Sequence, residues 1–204
     1  MPGSFTQNDY KIVKKDILCQ GNFLRLVRYS LKHRLFNGNW SDTFNCELLE
    51  RKSAVAILPY DPSLDKVLLI EQFRPGALES PNNPWLIEIP AGVIDENESP
   101  EDVAYREMRE ETGCNALALH PIFEFFVSPG GANEYLHLYC SKIDARTIEE
   151  IQGLEEENED IRVINLPADE AFAELYAGRI KTAPALVSLM WLQLHRKQLQ
   201  QRWL

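Results

Sequence analysis

Up to about residue 50 the arrangement of apolar residues is strand-like: KIVKKDIL (11–18), then FLRLVRYSLKHR (23–34) with several alternating positions, then, after a Phe36-Asn37-Gly38 turn signal, TFNCELLE (43–50). A period of two interrupted by Asn-Gly predicts strands joined by tight turns, hence a small antiparallel sheet. The pattern then changes. SAVAILPY (53–60) and KVLLIEQF (66–73), separated by DPSLD, are nearly continuous apolar runs, as expected of central strands buried on both faces. Further strands are predicted at PIFEFFV (121–127), EYLHLYC (134–140) and IRVINL (161–166), with SPGG (128–131) breaking the chain between the first two. Helices are predicted from Ala168 to Ala177 and from Pro184 to Trp203. No repeat or low-complexity linker is visible. The expected architecture is an N-terminal β domain (1–50) followed by an α/β or α+β domain (51–204).

One further helix is marked by its ends. Ser99 suits the cap, Pro100 the first helical position, Glu101 and Asp102 the positive end of the dipole, and Gly113 the place just beyond the last turn. Within it Glu107, Glu110 and Glu111 stand at i, i+3 and i+4, which puts three carboxylates on one face, with Val103, Ala104 and Met108 able to pack behind. Two unit charges ~4 Å apart repel by about 4 kcal/mol at an effective dielectric near 20. A domain is stable by only about 5–15 kcal/mol, so crowding of this kind in an enclosed site needs compensation. Hard divalent cations, which take oxygen ligands and share them with phosphates, would supply it. Arg106 is placed to pair with Glu98 or with a helix glutamate. An exposed acidic face carrying Arg/Glu pairs is the alternative for such a cluster taken alone.

Charge and composition narrow the classes. With 21 Lys and Arg against 31 Asp and Glu, the net charge of -10 disfavours a nucleic-acid backbone, and no basic stripe offsets it. The longest apolar stretches, such as 183–192, fall well short of the ~20 residues that span a bilayer. The start MPGSFTQNDYK has no export signal, which predicts a cytoplasmic protein with no membrane partner. Cys19, Cys46, Cys114 and Cys140 form no CxxC pair, and the four histidines form no HExxH, so neither a disulfide framework nor a histidine metal site is expected.

The spacing around the glutamates is more specific than the cluster. Gly92, Glu98, Arg106, Glu107, Glu110, Glu111 and Gly113, with apolar Met108 and Cys114, satisfy G-x5-E-x7-R-E-U-x-E-E-x-G-U. Seven such identities arise by chance on the order of once in 10⁸ windows at average residue usage. This pattern is the Nudix box, and the chain resembles the Nudix hydrolases, which cleave nucleoside diphosphates linked to another moiety. HRLFNG (33–38), SPGG followed by Glu134, and GLEEENEDIRV (153–163) resemble the bacterial ADP-ribose pyrophosphatase branch over most of the 204 residues.

The resemblance implies an α/β/α sandwich around a mixed sheet, with 92–114 as loop-helix-loop and the N-terminal β domain exchanged across a homodimer. It implies Mg²⁺, with Mn²⁺ as a substitute, in two or more copies held by Glu107, Glu111, the Ala91 carbonyl and Glu159. The catalytic groups it implies are Glu157 as base, with Glu110 and Arg106 in the box. Arg74 would contact phosphate, Gly130 and Gly131 would let the backbone approach the substrate, and Glu134 would contact the terminal ribose. The expected reaction is hydrolysis of ADP-ribose to AMP and ribose 5-phosphate. The chain departs from the pattern at Asn22 and Cys46, where the branch clamps adenine with an aromatic ring and an arginine. Phe23, Phe44 or Arg51 are the substitutes at hand. Another nucleoside diphosphate sugar such as GDP-mannose is therefore the alternative substrate, and a nucleotide-sensing domain without catalysis the alternative class.

Overall fold

The computed structural model describes residues 5–81, 83–154 and 159–204. The chain forms two compact units: one runs to Lys52 and takes in Phe126–Glu134, and the other comprises Ser53–Phe125 and Tyr135–Leu204.

In the first unit, β1 (Tyr10–Gln20), β2 (Arg25–His33) and β3 (Phe44–Glu50) make an antiparallel sheet in chain order. Glu50 ties its strands together, accepting hydrogen bonds from Arg25 Nε and Tyr29 Oη, each at 2.7 Å, and pairing with Lys15 Nζ at 2.7 Å. The turn after β2 needs Gly38, whose φ of 87° lies in the left-handed region.

The second unit holds the remaining elements. These are β4 (Ala54–Asp61), β5 (Lys66–Phe73), β6 (Trp85–Glu88), β7 (Ala91–Val93), α1 (Pro100–Thr112), β8 (Ala118–Phe126), β9 (Tyr135–Lys142), β10 (Ile151–Gln152), β11 (Ile161–Pro167), α2 (Ala168–Tyr176) and α3 (Ala183–Trp203). Its sheet runs β10-β11-β5-β4-β9-β8, with β6 added to β5 and β7 to β4. The pairing of β4 with β9 is parallel and that of β4 with β5 antiparallel, so the sheet is mixed. Every residue of β4 is buried because the strand serves two cores. Ala56, Leu58 and Tyr60 join a cluster with Phe172 and Leu175 of α2 and Leu189 and Leu192 of α3, whereas Val55 and Ile57 join one with Val103, Ala104 and Met108 of α1. Helices thus cover both faces, which is the α/β/α sandwich. Burying one such aliphatic side chain contributes about 1.5–3 kcal/mol, and the continuous apolar run of β4 is what a two-sided core requires. Among the described residues no helix is long and apolar enough to cross a membrane.

The sheet forks between β4 and β5. Since β9 takes one edge of β4 along 54–60, β5 and β7 must share the other, and they do so at opposite ends: Tyr60 and Asp61 pair with β5, Ala54 to Ala56 with β7. Beyond the fork β5 pairs with β6 from Ile70 to Phe73. This corrects one expectation: Gly92 and Val93 are strand rather than loop, because their backbone groups fill the edge of β4 that β5 vacates.

Candidate active site

Helix α1 is delimited as its sequence predicts. Ser99 Oγ accepts from the Asp102 N–H while the Asp102 carboxylate accepts from the Ser99 N–H, each at 3.2 Å, and Gly113 closes the helix in the left-handed conformation. Its buried residues are Val103, Ala104, Met108, Glu111 and Thr112, so Glu111 lies on the stripe that packs against the sheet. A carboxylate occupies a core-facing position at 1% exposure.

Several groups meet that carboxylate. The Ala91 N–H, at the start of β7, donates to Glu111 Oε2 at 2.8 Å. The Glu111 pKa is nonetheless raised well above the ordinary carboxylate value. Burial is the main cause, the Ala91 bond opposes it, the charges of Glu107 and Glu159 add to it, and Arg74 opposes it. Glu107 is raised too, first by burial, with Arg106 opposing and Glu110 and Glu159 adding. Glu107 also lies against β7: a Cβ built on Gly92 would stand 1.7 Å from Glu107 Oε1. A hydrogen at that position is what gives the carboxylate its place.

Arg106 is shared more widely than a single pairing. Its Nη1 reaches Glu107 at 2.6 Å and Glu110 at 3.0 Å, while Nε and Nη2 reach Glu98 at 3.1 and 3.3 Å. Burial alone would lower its pKa, but the surrounding carboxylates outweigh that and hold the guanidinium charged. One cation thus offsets part of the repulsion among the box glutamates, and Glu111 lies outside its reach.

β10 ends at Gln152, whose side chain lies 3.0 Å from where a Cβ on Gly113 would be, so the strand runs against the C-terminus of α1. Gly153 then turns with φ 105°, where a Cβ would meet the Glu159 carbonyl at 2.8 Å, and the Glu159 N–H donates to Leu154 O at 3.1 Å. The structure therefore sets Glu159 within electrostatic range of Glu107 and Glu111. Glu157 lies outside the described residues.

Arg74 follows β5 directly. Its charge acts on Glu111, and its Nε donates to Glu88 Oε2 at 2.8 Å. Sequence reasoning passed over Glu88. The available signal was a lone carboxylate inside the apolar run WLIEIP (85–90).

Gly130, Gly131 and Glu134 belong to the first unit. The Leu49 N–H donates to the Gly131 carbonyl at 2.8 Å, and Arg51 Nη1 pairs with Glu134 Oε2 at 2.9 Å. Neither glycine has a positive φ, and a Cβ on either would meet nothing within 4 Å. Among the described residues no contact demands glycine there. Of the substitutes named for the adenine clamp, Arg51 is thus paired with Glu134, Phe44 packs edge-on against His33, and Phe23 is 90% exposed.

Comparison with known proteins agrees with this geometry. The family model for the NUDIX domain matches residues 50–186. The ADP-ribose pyrophosphatase of Escherichia coli (strain K12) is 41% identical over 203 residues, covering 100% of this chain and 97% of that protein. The ADP-ribose pyrophosphatase of Haemophilus influenzae is 41% identical over 202 residues, covering 98% and 93%. The GDP-mannose pyrophosphatase of Yersinia enterocolitica is 32% identical over 185 residues, covering 90% and 94%. With its box on a capped helix against a forked mixed sheet, and with similarity running the length of the chain, this protein belongs to the Nudix family.

Proposed function

We propose that this protein hydrolyses the pyrophosphate bond of ADP-ribose, giving AMP and ribose 5-phosphate, with Mg²⁺ as its metal and Mn²⁺ as a substitute. The observation that carries the reading is Glu111, a carboxylate buried on the core face of α1 with Glu107 and Glu159 in electrostatic range. A buried acid among like charges is costly unless a cation joins it, and this donor set, oxygen throughout, suits a hard divalent ion. Among the described residues no group of three or more His, Cys, Asp or Glu side chains could hold a metal ion by itself. Mg²⁺ commonly uses one or two carboxylates and completes its shell with water and substrate phosphate, so it needs no full protein cage.

Glu107, Glu111 and the Ala91 carbonyl, with Glu159, are the residues that would hold it. When bound, the metal neutralises charge on the diphosphate and lowers the pKa of a water, and two or more such ions can serve both phosphates. Glu157 is assigned as the base that would take a proton from the attacking water, and Glu110 and Arg106 keep the box carboxylates in place. Arg74 is assigned to a phosphate oxygen. For Gly130, Gly131 and Glu134 a substrate-contacting role is proposed on the family resemblance, the ribose falling to Glu134.

Assay of the purified protein with Mg²⁺ against a panel of nucleotide sugars tests the reading. ADP-ribose should be the best substrate; turnover of ADP-ribose no faster than that of GDP-mannose would overturn the assignment. GDP-mannose is the second reading because Asn22 and Cys46 offer no ring or guanidinium plane to a base. Tight binding without cleavage at any metal concentration would instead make the protein a sensor.

A homodimer belongs to the same proposal. Ile12, Val13, Ile17 and Leu18 are exposed along β1, an edge strand of the first unit, and an apolar edge of that kind calls for a partner. Light scattering should give twice the 23.5 kDa chain mass, and a single chain mass at micromolar concentration would remove the dimer. A cytoplasmic location fits the four free cysteines, and the net charge of -10 fits a protein without a nucleic-acid partner.

A further inference from the structure

We propose that Glu88 is a positioning residue for Arg74, fixing the guanidinium so that its remaining donors face the diphosphate; this rests on the phosphate-contacting role assigned to Arg74 above.

The pairing of β5 with β6 sets Ile70 opposite Glu88 and Gln72 opposite Leu86. Side chains alternate along a strand, so Gln72 and Arg74 share a face with Leu68, which packs against Val103, Ala104 and Met108 of α1. Glu88 lies on that face too, opposite Ile70. Its Oε2 accepts from Arg74 Nε at 2.8 Å and from Gln72 Nε2 at 3.3 Å. Gln72 is buried, and the Glu88 side chain is only 14% exposed. The Arg74 backbone is fixed separately, its N–H donating to Pro84 O at 2.8 Å.

An arginine side chain carries about 2 kcal/mol of rotamer entropy, and holding it ready for an anion requires a partner that is itself held. Glu88 meets that requirement, being on a strand, half-enclosed and bonded to a buried amide. The bond to Glu88 uses Nε, and the two terminal nitrogens carry the other four N–H donors, which suit phosphate oxygens. A lysine has no second edge to give. The same carboxylate also partly balances the Arg74 charge on the face that Glu111 occupies.

The test is a double-mutant cycle in the full-length protein with ADP-ribose and Mg²⁺, joined to NMR of the arginine Nε–Hε groups in ¹⁵N-labelled protein. E88A should lower kcat/KM by about ten-fold or more, mainly through KM, and E88Q, whose amide oxygen can still accept from Nε, should recover most of that loss. In an R74A background, E88A should change kcat/KM by less than about two-fold, since residues that act through each other are not additive. The Arg74 Nε–Hε signal should be ordered in the wild type and E88Q and lose its order in E88A. Full additivity of E88A with R74A, or an Arg74 signal as ordered in E88A as in the wild type, would overturn the proposal. An R74A protein of wild-type activity would overturn it as well, by removing the group that Glu88 is said to serve. If the wild type cleaves no nucleotide sugar, the hydrolase reading falls, and the Nε–Hε comparison still decides whether Glu88 holds Arg74. Melting curves of each variant identify losses that come only from unfolding.

Discussion

Ala91 donates its backbone N–H to Glu111 Oε2 at 2.8 Å, joining the start of β7 to the last turn of α1 through a carboxylate that solvent barely reaches. The bond orients the acid without neutralising it. Glu111→Gln should therefore nearly abolish turnover, with kcat down by about a hundred-fold or more, while the metal-free protein melts no lower than the wild type. A neutral amide keeps an oxygen for the Ala91 N–H and relieves the repulsion with Glu107 and Glu159. Steady-state kinetics and thermal melting check both halves; strong destabilisation with activity retained would give Glu111 a structural role.

Gly92→Ala places a methyl group where Glu107 Oε1 now stands, 1.7 Å from the ideal Cβ position. Glu107 Cδ and Cγ lie only 2.1 and 2.6 Å from that position as well, so the whole side chain has to swing to another rotamer and its carboxylate should move. The expected outcome is a rise in the Mg²⁺ concentration giving half-maximal rate, by about ten-fold or more, with a Tm close to that of the wild type. A metal titration of the rate reads this directly.

Ser99→Ala removes one half of the capping box at the start of α1. The cost should be about 1 kcal/mol, which corresponds to a Tm lower by about 2–4 °C in a chain of this size. Calorimetry measures it, and kcat at 25 °C should stay near wild type, because Ser99 touches none of the site carboxylates.

Glu50 makes the first unit sensitive to acid. Its pKa is held down from 4.5 to about 2, chiefly by the Lys15 contact, with burial opposing and Tyr29 and Arg25 assisting. A carboxylate whose folded pKa lies below its unfolded value adds stability that is present in full above pH 4.5 and disappears as pH falls to about 2. Chemical denaturation between pH 2 and 6 should show this loss in the wild type, and Glu50→Gln should flatten it.

Much of the fold was legible because its local signals agree. The strand-like composition of β1 to β3, the apolar runs of β4 and β5, and the caps of α1 each follow from the side chains present within a few residues. β7 was not legible, because Ala91–Val93 is too short to show a period and forms only where β5 leaves the edge of β4. The same limit explains Glu88. Its partners Arg74 and Gln72 lie 14 and 16 residues away, and only strand pairing shows that they share a face.

By itself the sequence determined the helix that carries the glutamates, the spacing that marks the Nudix box and the apolar content of a two-sided core. Periodicity, capping and residue identity are properties of short stretches, so they can be read before any folding is considered. Tertiary structure alone decided that Glu111 faces the core instead of solvent, that Arg106 is divided among Glu98, Glu107 and Glu110, and that Glu159 comes within electrostatic range of Glu107 and Glu111. Burial and Coulomb energy depend on what surrounds a charge within a few ångströms, and those neighbours are assembled by strand order and helix packing rather than by adjacency along the chain.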